Sequence, residues 1–252
     1  MKALVQAELL KLRTVRLPAT LLLVTLALVA LSVCATVLTA GRTGAPLGAH
    51  DPDLFRVALS SASAGTTMLL VLGILVLTQE FRFGTATPSF LVTPRRERVL
   101  VAKLLAITLV GALFAAVSVL FAAALSVGLL RLRGLDVVLE GPLTRTVLAD
   151  LLVVVLYGPI GIAVGALVRN QVAAVVGALA YSFVVENLLV ALLPDVGRWL
   201  PGGASAAVLQ LGDVATTRGE LLPPLGGALL LVAYAVVLSL VAARLTLRRD
   251  LA

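Results

Sequence analysis

The sequence predicts an all-α membrane protein with six transmembrane helices, an N-terminal interfacial helix and a short helix in a cytoplasmic loop. Composition is the first observation: of 252 residues, 60% are hydrophobic and only 13% charged, whereas a soluble domain carries roughly 25% charged residues. The second is that the apolar residues fall into six long blocks, each near the roughly 20 residues that one bilayer-crossing helix needs. The third is their make-up. The blocks are rich in Leu, Ala, Val and Gly, aromatics are only 4% of the chain, and none shows the ten-residue alternation of a membrane β-barrel, so the backbone must satisfy itself as helix.

Residues 1–16 contain helix formers and no Gly or Pro. A helical wheel gathers Leu4, Val5, Leu12 and Val15 on one side and Lys2, Gln6 and Arg13 on the other, although Glu8 falls in the apolar sector. An interfacial helix is expected, with Lys11, Arg13 and Arg16 near the lipid headgroups. The first span, 17–41, is longer than the 7–15 residues of a signal-peptide core,. It holds the single cysteine, Cys34, which excludes a disulfide framework,. The remaining spans are read at 57–79, 104–130, 151–168, 171–194 and 221–243, joined by a loop at 80–103 and a segment on the opposite side at 195–220.

Charge orients the bundle. With six crossings, the two ends and the loops at 80–103 and 169–170 share one side, which holds thirteen basic residues against four acids; the other side holds seven against eight. The positive-inside rule then places both termini in the cytoplasm. Because the basic residues sit at span ends with no interleaved aromatics, nucleic-acid binding is not expected. Seventeen of the twenty basic residues are Arg, a bias that suggests a GC-rich bacterial genome and hence a bacterial cell membrane.

The loop after the second span is punctuated for structure. Gly84 permits a sharp turn, and Thr87-Pro88 and Thr93-Pro94 each pair an N-cap residue with a first-turn proline,. Two helix starts follow: a short helix near 88–92 carrying Phe90 and Leu91, and a second near Pro94 that runs into the third span. A short cytoplasmic helix with exposed apolar residues is a docking knob for a soluble partner. The fifth span contains Glu186, an acid that is costly inside a bilayer and is expected to be neutral, paired or facing an aqueous cavity; it is a candidate for a transport path or for a structural bond to a neighbouring helix,. In the fourth span, Gly158-Pro159 predicts a kink, and Gly161-x-x-x-Gly165 permits a close helix crossing,.

The pattern Glu80-x-Arg82-x-Gly84-Thr85, then Thr93-Pro94-x-Arg96, then Lys103-Leu104-Leu105-Ala106 resembles the loop between the second and third spans in permeases of type-2 ABC exporters. The opening Glu8-x-x-Lys11-Leu12-Arg13-Thr14 looks like the N-terminal helix of actinobacterial members. The resemblance implies that Glu8, Lys11 and Arg13 belong to a helix lying along the membrane against the ATPase. It also implies that Glu80, Arg82, Gly84 and Thr85 shape a coupling elbow, that Phe90 and Leu91 belong to a coupling helix seated in the ATPase, and that Arg96 takes part in ATPase coupling. Pro88 departs from relatives with a more continuous helix. The implied partners are two copies of a cytoplasmic ABC ATPase, a second permease copy or a paralogue, and membrane lipids. The implied cofactors, ATP and Mg, sit in the ATPase. Residues 193–203 resemble the family's extracytoplasmic segment between the fifth and sixth spans, where short or re-entrant helices close the outer side, with Trp199 at an interface.

Intrinsic chemistry is not expected. The chain has no GxxxxGK[ST] motif, no HExxH and no GxSxG, and one His (His50) with one Cys rules out a conventional zinc centre,. No catalytic residue, metal site or bound cofactor is assigned. Three functions stay open: an export permease for a hydrophobic or amphipathic substrate such as a drug, natural product or lipid; a proton-coupled secondary transporter using Glu186; and a non-transporting membrane anchor or sensor that recruits a cytoplasmic partner.

Overall fold

A computed structural model describes residues 1–43, 45–83, 96–138, 143–168, 170–211 and 220–248. The described residues are helical with no strand, and six helical stretches are long and apolar enough to cross a membrane. Helix α1 (Lys2–Thr14) precedes the first span, α2 (Leu17–Thr39). The second span is composite: α3 (Leu54–Leu59), a 3-10 segment (Ser60–Ala64) and α4 (Gly65–Arg82). The third is α5 (Arg96–Leu132) and the fourth α6 (Leu143–Val168). The fifth runs through α7 (Gln171–Ala180), one π-helical turn (Tyr181–Val185) and α8 (Glu186–Leu192). Short helices α9 (Pro194–Gly197) and α10 (Pro201–Leu209) lead to the sixth, α11 (Pro224–Arg248).

The pairing of α4 with α6 forms the centre of the bundle, and glycine makes it close. A Cβ on Gly73 would lie 2.3 Å from the Gly158 carbonyl oxygen, one on Gly161 2.2 Å from that of Leu70, and one on Gly165 2.9 Å from that of Ile74. Such separations exclude any larger side chain and let the backbones touch, which in lipid replaces the hydrophobic drive that holds soluble helices together. The GxxxG pair therefore serves packing within the chain. Helix α6 continues through Pro159.

Around this pair, α2 buries Thr25, Val29, Val33 and Val37, a stripe recurring every four residues, and leaves its other faces outward. Two arginines on the side away from the N-terminus satisfy helix ends, whose last carbonyls have no partner within their own helix. Arg133 donates to the Val37 and Ala40 carbonyls at the end of α2. Arg56 donates to those of Leu209 (3.3 Å) and Gln210 (3.0 Å) at the end of α10.

Several helix bounds differ from the hydropathy reading. Helix α5 has 37 residues, about 55 Å at 1.5 Å each, so it outruns a hydrocarbon core of about 30 Å, and it carries Lys103 on its second turn. Helix α6 begins eight residues before the apolar block, which moves Asp150 from an external loop into the bundle, where it is 0% exposed. A block defined by lacking charges must stop at a charge; a helix need not, provided its neighbours cover the charged side chain.

A buried charge cluster as candidate functional site

Glu8, the misfit of the N-terminal wheel, points to the site. Helix α1 packs along the start of α5 with Glu8 buried between them. There the Lys103 ammonium donates to Glu8 Oε2 at 2.7 Å and to Glu80 Oε1 at 2.6 Å. Lys11 donates to Glu8 Oε1 at 2.7 Å and to Glu80 Oε1 at 3.2 Å. Two carboxylates and two ammoniums thus form a closed, neutral ring that joins α1, the last turn of α4 and the second turn of α5. Neutrality permits the burial: Lys103 is 2% exposed, and a charge so placed is tolerable only when paired,.

Electrostatics follow from this geometry. Burial by itself would raise the Glu8 carboxyl, but the ammonium of Lys103 and then that of Lys11 outweigh it and hold the group below its ordinary value,. Burial would lower the Lys11 ammonium, yet its bonds to Glu8 and its attraction to Glu80 raise it above the ordinary lysine value,. Both charged states are therefore reinforced.

Beside the ring, Arg82 extends α4 to the fifth span. Its Nη1 donates to Gln171 Oε1 at 3.2 Å, and its guanidinium lies 5.6 Å from the Phe83 ring centre. Arg13 is exposed and stands apart from the ring. Arg96 opens α5. Gly84, Thr85, Phe90 and Leu91, and with them the expected short helix at 88–92, lie outside the described residues.

Glu186 lies elsewhere, at the far end of the π-helical turn. Its Oε1 accepts the backbone N–H of Gly202 in the first turn of α10, so the carboxylate caps that helix where its unpaired amides emerge,. The close fit is visible at Gly202, where a Cβ would come within 2.9 Å of Oε1. Asp150, in contrast, faces the Ser63 backbone of the 3-10 segment, and neither of its oxygens makes a hydrogen bond of normal geometry. Among the described residues, no cluster of His, Cys, Asp and Glu could hold a metal ion.

One participant escapes the reading of the sequence: Lys103, which stands there only as part of a motif. Scarcity was the available signal. The chain has three lysines against seventeen arginines, and two of the three lysines are in the ring. A compact ammonium can serve two carboxylates at once, whereas a planar guanidinium suits one carboxylate edge-on.

Comparison with known families adds one finding. A family model described as ABC-2 family transporter protein matches residues 4–185, a stretch that includes Glu8, Lys11, Glu80 and Lys103. No curated protein matches the chain.

Proposed function

The chain belongs to the ABC-2 transporter family, as a multi-pass membrane permease, and from that premise we propose that it is the membrane half of an ATP-driven exporter, energised by a separate ABC ATPase. In this reading both termini are cytoplasmic, two ATPase copies bind ATP and Mg, and a second permease copy or a paralogue completes the pathway for a hydrophobic or amphipathic substrate. The observation that carries it is the ring of Glu8, Lys11, Glu80 and Lys103. These ion pairs tie α1 to both helices that flank residues 84–95, so a push on that loop would reach the second and third spans and α1 as one body. Phe90 and Leu91 supply the apolar contact to the ATPase, Arg96 and Arg82 the polar rim, and Gly84-Thr85 the elbow. Closure of the ATPases on ATP then switches the access of the cavity between the permease copies.

The test is reconstitution with the P-loop ATPase that co-purifies with the chain. Transport should require ATP, Phe90→Ser with Leu91→Ser should release the ATPase, and Arg82→Ala should lower transport per ATP hydrolysed. If no ATPase co-purifies and these variants transport normally, an anchoring or proton-driven role replaces the exporter.

A further inference from the structure

The chain has only three tyrosines, and all three line one cleft together with Glu186. The cleft has a volume of about 320 Å³ and lies between α4, α6, α7, α10 and α11. Its polar end is built with care. The Tyr157 hydroxyl shares a 3.1 Å hydrogen bond with Ser205 Oγ, and the Tyr234 hydroxyl donates at 3.0 Å to the Trp199 carbonyl, so two of the rings are pinned by their tips. Tyr181 opens the π-helical turn that precedes Glu186, a backbone irregularity frequent at functional sites. From there the lining becomes aliphatic: Ile160, Val164 and Val168 follow Tyr157 along α6, reaching about 16 Å further at 1.5 Å per residue.

Glu186 has one oxygen on the Gly202 amide. Among the described residues no basic side chain pairs with it. An acid at membrane depth stays charged only when it is paired or faces water, and aromatic rings attract cations through their electron-rich faces. The aliphatic run calls for hydrocarbon. We propose that this cleft binds a cationic amphiphile, its ammonium-type head at Glu186 among Tyr157, Tyr181 and Tyr234 and its hydrocarbon body along the α6 face toward Val168. An anionic head would meet the carboxylate and be rejected; a neutral chain would leave Glu186 without its counter-charge. That the occupant is cargo rests on the permease reading; that it binds does not.

Binding is therefore measured without any ATPase, using tritiated dodecyltrimethylammonium and the permease in nanodiscs, with empty nanodiscs subtracted. Saturable binding of one cation per chain is expected, with 1-dodecanol a poor competitor. Glu186→Gln keeps an oxygen for the Gly202 amide and so preserves the fold, yet should weaken binding about tenfold or more by removing the charge. Tyr181→Leu should weaken it by about threefold to thirtyfold and Tyr181→Phe hardly at all, as expected for a cation over a ring. The proposal fails if binding does not saturate, if 1-dodecanol displaces the label as well as unlabelled cation does, or if Glu186→Gln and Tyr181→Leu both bind like the parent. Binding retained in a protein that does not transport would count against the exporter reading and leave the cleft assignment standing.

Discussion

Lys103→Met removes the ammonium that touches both carboxylates of the ring while keeping much of the side chain's length and apolar stem. In the parent, Lys103 reaches Glu8 and Glu80 at 2.7 and 2.6 Å. Its loss leaves two largely buried carboxylates facing one another with a single ammonium, Lys11, which is 51% exposed. Removing one member of a buried ion pair costs about 3–5 kcal/mol, because a charge is stranded away from water. Losing an exposed pair costs only about 0–1 kcal/mol. Lys103→Met should therefore destabilise by several times as much as Lys11→Met, although both lysines touch the same two acids. Denaturant unfolding in detergent micelles gives the cost, and protease susceptibility at residues 14–17 reports release of α1. The double variant Glu8→Gln with Lys103→Met should recover part of the loss, with a coupling energy of about 0.5–3 kcal/mol. Equal costs for the two lysines, or no recovery in the double variant, would refute the view that burial at Lys103 organises the ring.

Other perturbations test the same structure. Because folding depresses the Glu8 carboxyl, its contribution should be complete above the ordinary value of 4.5 and be lost as pH falls below it; because folding raises the Lys11 ammonium, its contribution should be complete below 10.5 and be lost above it,. Protease protection of α1 should accordingly be flat between those limits and fall on either side. Gly161→Leu would drive a side chain into the Leu70 carbonyl and should cost about 1–3 kcal/mol or more, read as a lowered melting temperature in micelles,. Arg82→Ala removes one exposed hydrogen bond to Gln171 and should change stability by under about 1 kcal/mol, so any larger fall in transport reflects coupling,.

The fold was legible where hydropathy acts residue by residue and failed where neighbours intervene. The apolar blocks announce six helices, yet no hydropathy window anticipates the 3-10 segment at Ser60–Ala64, which persists because α2, α5 and α6 enclose it. A charge ends an apolar block, so hydropathy leaves Asp150 just outside the span at 151–168, while in the folded chain α6 simply carries it inward. At the site, Glu8, Lys11, Glu80 and Arg82 stood out through the spaced motifs that carry the family resemblance. What the spacing could not convey is that Glu8 spoils the amphipathic wheel because Lys103 awaits it on another helix. Glu186 was legible as an anomaly, and its α10 cap and tyrosine neighbours were not, since Pro201 and Tyr234 belong to elements packed beside it only after folding.

The sequence by itself determined that this chain is an all-helical membrane protein, because in lipid each span must satisfy its backbone internally and the transfer of about 20 apolar residues is a sum over the residues themselves. Only the tertiary structure decided which charges meet. Lys103 finds Glu8 across 95 residues of chain and Glu80 across 23, and such partners are chosen by the packing of α1 and α4 against α5 and by the requirement that no buried charge stay unpaired.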